Sequence, residues 1–253
     1  HNTECINDKK FSSCSFKTPP ADFYPTYSWV WNAPINKKEI INQLDAMYEN
    51  KIRIIYILPE PRDFRPDTNP TTLEPDYLTE EYFELYRYAS EYAAGKGMQM
   101  WLYDEGGWPS GSANGQVTKK KPHLLNMHIE KHPVSSPYVP SHNAIAAFCA
   151  GVRIKPGFAS EEEIYEYTAA YGPGKYPNLA EAEATDDFIN LTHEKYKKHL
   201  CDRFGSIIKV AFTDEPQIYP VPWCRSLAQD FEEKYGYDIR DFIPDVMREC
   251  ESS

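Results

Sequence analysis

Met98-Gln-Met-Trp-Leu-Tyr-Asp-Glu-Gly-Gly-Trp-Pro-Ser-Gly111 decides the fold class. Its first six residues form a short apolar run of the kind a buried strand makes. Two carboxylates, Asp104 and Glu105, end the run abruptly, and two glycines, a tryptophan and a Pro-Ser-Gly turn follow. A strand, then acids, then a tight aromatic loop is how a parallel α/β protein presents chemistry at the carboxyl end of its sheet. The pattern recurs downstream. Ile207-Ile-Lys-Val-Ala-Phe-Thr213 reads as a buried strand, and it too ends in acids, Asp214 and Glu215, before Pro216.

Upstream, Tyr27-Ser-Trp-Val-Trp31 alternates and is aromatic-rich, which predicts a strand. Asn36 then stands where a helix N-cap is wanted, and Ile40, Ile41, Leu44 and Met47 recur at helical spacing. Ile52-Arg-Ile-Ile-Tyr-Ile-Leu58 is a β-branched run, the mark of a strand covered on both faces, and Pro59-Glu-Pro-Arg62 ends it. After a proline-rich loop, Thr79 caps a second helix with an apolar stripe of Phe83, Tyr86, Ala89, Tyr92 and Ala93, closed by Gly95 and Gly97. The order βαβαβ with helical crossovers dictates parallel strands.

Residues 106–180 break the rhythm. Lys119-Lys-Lys121 and several Pro/His/Ser stretches predict a long loop or inserted subdomain, with insert strands at 144–154 and 164–168. A loop of that length over a rim shapes a binding site. The rhythm resumes with a long helix over 181–204, the strand at 207–213 and a helix over 223–235. Residues 238–247 are expected to hold a further turn or two, and residues 1–26 read as an irregular lead-in. The expectation is an α/β domain of the (β/α)8 TIM-barrel type over residues 27–253, partial, with four βα units and an insertion at 106–180 after the third strand. A closed barrel has eight strands. Half a barrel leaves strand edges open, which predicts self-association through them. On that reading the chain is a piece of a longer protein, a clipped species, or a half that pairs with another copy.

Composition narrows the function classes. The net charge of −11 disfavours a nucleic-acid backbone as partner. No apolar run approaches the roughly 18–20 residues of a membrane span, and no signal peptide is visible. The 19 Tyr and 5 Trp suit stacking against sugar faces as well as core packing. The six cysteines form no CxxC pair and no zinc-spaced cluster with histidine. Cys5 and Cys14 are read as either a bridge or free thiols. No G-x-G-x-x-G follows the first strand, which disfavours a dinucleotide cofactor.

Tyr27-Ser-Trp-Val-Trp-Asn32, the strand ending at Pro59, Tyr103-Asp-Glu-Gly-Gly-Trp-Pro-Ser-Gly111, Leu191-Thr-His-Glu-Lys-Tyr196 and Phe212-Thr-Asp-Glu-Pro216 together resemble the large bacterial α-L-rhamnosidases of glycoside hydrolase family 106. The resemblance spans about residue 24 to residue 245. It implies a (β/α)8 catalytic domain that removes a terminal sugar with inversion, with a calcium ion near the sugar and a secreted or periplasmic location. Members of that family are much longer, with further strands and accessory β domains that this chain lacks.

Inverting hydrolysis needs one carboxylic acid to protonate the leaving oxygen and one carboxylate to activate water, their carboxyl groups roughly 6.5–9.5 Å apart. Glu215 is the expected general acid, because it follows a buried strand with Asp214 beside it and Pro216 fixing the turn; the alternative is a solvated strand-end turn. Glu105 is the second catalytic candidate. Asp104 and Glu105 alternate faces if the strand persists, so only one points into the mouth. That one is expected to hold sugar hydroxyls, bind calcium or act as base. A structural role, accepting backbone N–H groups of the Gly-Gly turn, is the competing reading. Trp108 is expected to stack on substrate or wall the pocket, placed by Gly106 and Gly107. Asp214 and Glu60 are sugar-contact candidates, Glu60 with a salt bridge to Arg62 or Arg65 as its alternative. One of Trp29 and Trp31 faces the core; Trp31 and Asn32 are carried as cleft residues. His193 reads as structural, and the Asn190-Leu-Thr192 sequon is discounted as mid-helical. The competing function is a non-catalytic carbohydrate-binding remnant of such an enzyme. A metal-dependent hydrolase is disfavoured because histidines are missing from the strand ends.

Overall fold

The computed structural model describes residues 13–19, 23–216 and 221–251. In chain order its helices and strands are α1 (Ser13–Lys17), β1 (Thr26–Trp31), α2 (Lys37–Glu49), β2 (Ile54–Pro59), α3 (Glu80–Gly95), β3 (Gln99–Tyr103), α4 (Gln116–Lys120), β4 (Met127–Val134), β5 (Ala144–Cys149), β6 (Val152–Arg153), β7 (Ile164–Tyr171), α5 (Ala182–Leu191), α6 (His193–Leu200), β8 (Ile208–Phe212), α7 (Leu227–Tyr235) and α8 (Ile243–Glu251). The lead-in therefore contains one helical turn, α1, where an irregular segment is expected. Two compact units divide the chain: the described residues up to Asp104 with Lys198–Phe212, and Glu105–Lys197 with the described residues from Thr213 onward.

The first unit is a parallel sheet in the order β1-β2-β3-β8. Its helices start where the sequence predicts. Asn36 Oδ1 accepts the N–H groups of Lys38 and Glu39 at 3.0 and 3.1 Å, and Thr79 Oγ1 accepts that of Tyr82 at 3.3 Å. Such caps satisfy donors that the first helical turn leaves unpaired. Trp29 and Trp31 are both buried, with Trp31 edge-on to Tyr82 of α3 at 5.7 Å. Positions 29 and 31 share one face of a strand. The expectation that one tryptophan faces the core while Trp31 lines a cleft is thus corrected: both lie on the helix-covered side. On the opposite face Tyr56, Tyr103 and Phe212 meet at ring separations of 5.4–5.8 Å.

The last strand departs from expectation. Lys209, Val210 and Ala211 of β8 are exposed, although the run reads as buried. The sheet order explains it, since among the described residues β8 is the last strand of its sheet, paired with β3 alone. Its apolar residues report β-propensity, not coverage.

The second unit is an antiparallel sheet in the order β4-β7-β5-β6, in the region where an insertion is expected. One face buries Met127, Ile129, Phe148 and Tyr167 against Val221, Trp223 and Ile243. Residues 221–223 run along the outer edge of β4, joined by Ile129 N–H to Val221 O and Trp223 N–H to Met127 O, both 3.0 Å. Strand β4 reads as loop in the sequence because His128, His132 and Pro133 interrupt its alternation. An outer strand tolerates that proline. The predicted long helix breaks at Thr192, whose buried hydroxyl donates back to Phe188 O at 2.7 Å. Such back-bonding bends helices.

Arg153 of β6 donates to Asp238 Oδ2 at 2.8 Å and Asp241 Oδ1 at 2.7 Å, tying the turn between α7 and α8 to the sheet. Burial raises the Asp238 carboxyl, but hydrogen bonds from Arg240 and Arg153 outweigh it and hold the group well below the usual carboxylate range. A carboxyl depressed in the folded state contributes stability that is present above its unfolded value, near pH 4, and lost as pH falls below it. We expect the urea midpoint to fall more steeply below pH 4 in the unmutated chain than in Asp238→Asn. Equal slopes would remove Asp238 from the acid response.

Candidate functional site

In the first unit, three polar residues directly follow three neighbouring parallel strands: Asn32 after β1, Glu60 after β2 and Asp104 after β3. Tyr56 is aligned with Trp101, which puts Asp104 level with Pro59, the residue before Glu60. Neighbouring strands stand about 4.8 Å apart. Glu60 is 6% exposed and Asp104 is 1% exposed. The one polar contact of the Glu60 carboxylate among the described residues is Asn32 Nδ2, which donates at 3.4 Å. Of the two alternative partners expected, Arg62 donates instead to Glu74 and to Leu73 O, both at 3.3 Å, and the Arg65 guanidinium lies over the Phe64 ring at 4.9 Å.

The loop after β2 is pinned above these strand ends. Thr72 N–H donates to Asn32 O and Ile35 N–H to Glu74 O, both at 2.9 Å. The Thr71 hydroxyl donates to Glu60 O at 2.8 Å. Nothing in the sequence marks Thr71 beyond its place in a proline-rich loop. A buried carboxylate normally gathers several donors, and one long contact leaves Glu60 under-satisfied.

In the second unit, Glu105 takes the structural course. Its Oε1 accepts the N–H groups of Gly106 and Asn114 at 2.7 and 2.6 Å. Its Oε2 accepts those of Gly111, Ser112 and Ala113 at 3.1, 2.8 and 2.9 Å, and the Ser112 hydroxyl at 3.2 Å. Ala113 and Asn114 both have positive φ, 52° and 54°, so their N–H groups turn inward. This is a backbone nest for an anion, and the anion is the chain's own side chain. Burial pushes the Glu105 carboxyl up to about 7, and the surrounding N–H groups pull it the other way. Every group facing it is a donor, so a proton on either oxygen would displace one of them. The loop is organised around the ionised form. The carboxylate expected to act on substrate is thus occupied in holding its own loop.

Gly111 has φ 127°, and a Cβ there would lie 2.6 Å from Tyr176 Oη and 2.7 Å from Leu179 Cδ1. Gly111→Ala is expected to destabilise the chain by at least about 2 kcal/mol, through strain and overpacking together. A loss of unfolding free energy below about 0.5 kcal/mol in urea titration would contradict this packing.

Trp108 is half-buried, Asp214 is half-buried and Glu215 is exposed. Glu215 does not follow a buried strand as expected, since Lys209, Val210 and Ala211 of β8 are exposed. Glu215 has φ 36°. Ser110 is a connecting residue that the sequence reading missed; the Pro-Ser-Gly turn was its signal. Its N–H donates to Asp214 O at 2.8 Å, and its hydroxyl oxygen accepts the Asp214 N–H at 2.9 Å.

Among the described residues, no group of three or more His, Cys, Asp or Glu is arranged to hold a metal ion. The calcium ion implied by the sequence resemblance finds no such donor set among the described residues. Cys149, Cys201 and Cys224 are free thiols, while the Cys5–Cys14 pairing lies outside the described residues because Cys5 does. No helix among the described residues is long and apolar enough to cross a membrane. Compared with known proteins, the chain matches no family model and no curated protein.

Proposed function

We propose that the chain is a glycoside hydrolase of α-L-rhamnosidase-like type, acting on a terminal sugar with Glu60 and Asp104 as its carboxylate pair. The observation that carries this reading is Glu60: a buried carboxylate at the carboxyl end of a parallel strand, with one long hydrogen bond from Asn32. A burial that stability does not reward points to chemistry or ligand binding. The Tyr103-to-Gly111 motif and its resemblance to family 106 support the substrate class. The proposed architecture is a partial (β/α)8 barrel, to which β1, β2, β3 and β8 contribute.

In this mechanism one carboxyl protonates the leaving oxygen and the other activates water, the inverting arrangement that separates the two carboxyl groups by roughly 6.5–9.5 Å. Asn32 Nδ2 shifts its donation from Glu60 to a sugar hydroxyl. The second reading, a non-catalytic carbohydrate-binding protein, is favoured by Glu105, whose donors leave it nothing to offer a substrate.

The test is release of 4-nitrophenol from a panel of aryl glycosides headed by the α-L-rhamnoside. Turnover of any one of them supports the hydrolase. Saturable sugar binding without turnover across the panel supports the binding protein, and neither binding nor turnover defeats both.

A further inference from the structure

The amino ends of β1 and β2, opposite the ends that carry Asn32 and Glu60, frame a second pocket. Its volume is about 370 Å³, and it is lined by Tyr24, Pro25, Tyr27, Lys51 and Arg53, all of the first unit. That volume suits a small ligand. Thr26 is aligned with Ile54, which puts Pro25 level with Arg53. Tyr27 is aligned with Ile55, two residues after Arg53, so Tyr27 and Arg53 fall on one side of the sheet.

Two cations meet here. Arg53 Nη1 donates to Tyr48 O at 2.8 Å and to Ile52 O at 2.9 Å, and the guanidinium lies over the Tyr48 ring at 4.0 Å. The head is held in place, while Nε and Nη2 have no partner among the described residues. Lys51 stands just past α2 in a Schellman turn: Ile52 N–H donates to Met47 O at 3.0 Å, and Lys51 N–H to Tyr48 O at 3.1 Å. Its φ is 69°, at the position where glycine is usual. Closing the helix explains the turn but not the lysine, because glycine closes it with less strain. Among the described residues no carboxylate pairs with either cation, in a chain of net charge −11.

Two such charges match one phosphate monoester, which carries about −1.5 to −2 at neutral pH. A guanidinium fork suits its oxygens, and an ammonium adds a point charge. The tyrosines offer flat apolar surface to a ring on the same ligand. We propose that this pocket binds the phosphate monoester of a flat-ring compound, with Arg53 and Lys51 on the phosphate and Tyr24 and Tyr27 beside the ring. The site is separate from the glycosidase reading and stands or falls without it.

The test is calorimetric titration of the full chain with phenyl phosphate, adenosine monophosphate and inorganic phosphate. At least one ester should bind with a Kd below about 1 mM, and about tenfold tighter than inorganic phosphate. Its affinity should fall as pH drops below about 6, where the ester loses its second charge. Arg53→Gln should weaken binding by about tenfold or more. Lys51→Gly should weaken it by about threefold or more without lowering the thermal midpoint, because glycine relieves the positive φ. If Arg53→Gln does not fold, Tyr27→Ala provides the independent check: ester affinity should fall while that for inorganic phosphate stays. Failure of both esters to bind would overturn the site, as would inorganic phosphate binding as tightly as they do. A Lys51→Gly chain that keeps its full affinity would make Lys51 a helix terminus only, and would overturn the site too.

Discussion

Glu105→Gln is expected to lower the stability of the chain by at least about 3 kcal/mol, one of the largest effects of any single substitution in it. Five backbone N–H groups and one hydroxyl converge on the two carboxylate oxygens. The residue is fully buried, so water cannot replace the side chain. Glutamine keeps one acceptor and turns an NH2 group against donors. Alanine leaves every donor of the nest unpaired, at about 1–3 kcal/mol for each buried group that finds no new partner. Aspartate keeps the charge but is one methylene short of the nest at residues 111–114. All three variants should unfold at lower urea, with glutamate alone tolerated. A Glu105→Gln chain within about 0.5 kcal/mol of the unmutated one would mean that the nest does not hold the loop.

Glu60→Gln should behave in the opposite way. The side chain keeps its volume and loses a buried charge whose one described polar contact is long, so the urea midpoint should hold or rise. Turnover should fall by about 10²–10⁴-fold, the usual contribution of a positioned acid or base. Asp104→Asn is expected to give a loss of the same order. Stability retained while activity disappears is the pattern of a residue kept for function. A Glu60→Gln chain that loses stability and activity in parallel would make Glu60 a structural carboxylate.

The parallel core was legible in the sequence where one local signal sufficed. Asn36 and Thr79 cap the helices predicted for them, and the crossovers force parallel strands. Burial in β8 was not legible, because Val210 is covered or exposed according to the number of strands beside it. The two faces of β1 are legible in its alternation, since Trp29 and Trp31 are two residues apart and share a side. By sequence alone Glu105 fits both catalysis and anchoring. Its glycine-rich surroundings hinted at a nest, but the inward N–H groups of Ala113 and Asn114 depend on positive φ at residues whose identity does not announce it. Glu60 was visible as a candidate, whereas its lack of a salt bridge required knowing that Arg62 reaches Glu74. The Pro-Ser-Gly turn marks Ser110 in the sequence, but its partner, Asp214, lies about a hundred residues away, beyond the reach of any local pattern.

The measurement that separates the roles most directly pairs the urea midpoint with aryl α-L-rhamnoside turnover for three proteins: the unmutated chain, Glu60→Gln and Glu105→Gln. The account predicts turnover by the unmutated chain, a Glu60→Gln protein that is as stable but inactive, and a Glu105→Gln protein that is markedly destabilised. A stable, inactive Glu105→Gln protein beside an active Glu60→Gln protein would contradict it, and would return the chemistry to the residue assigned here to the loop.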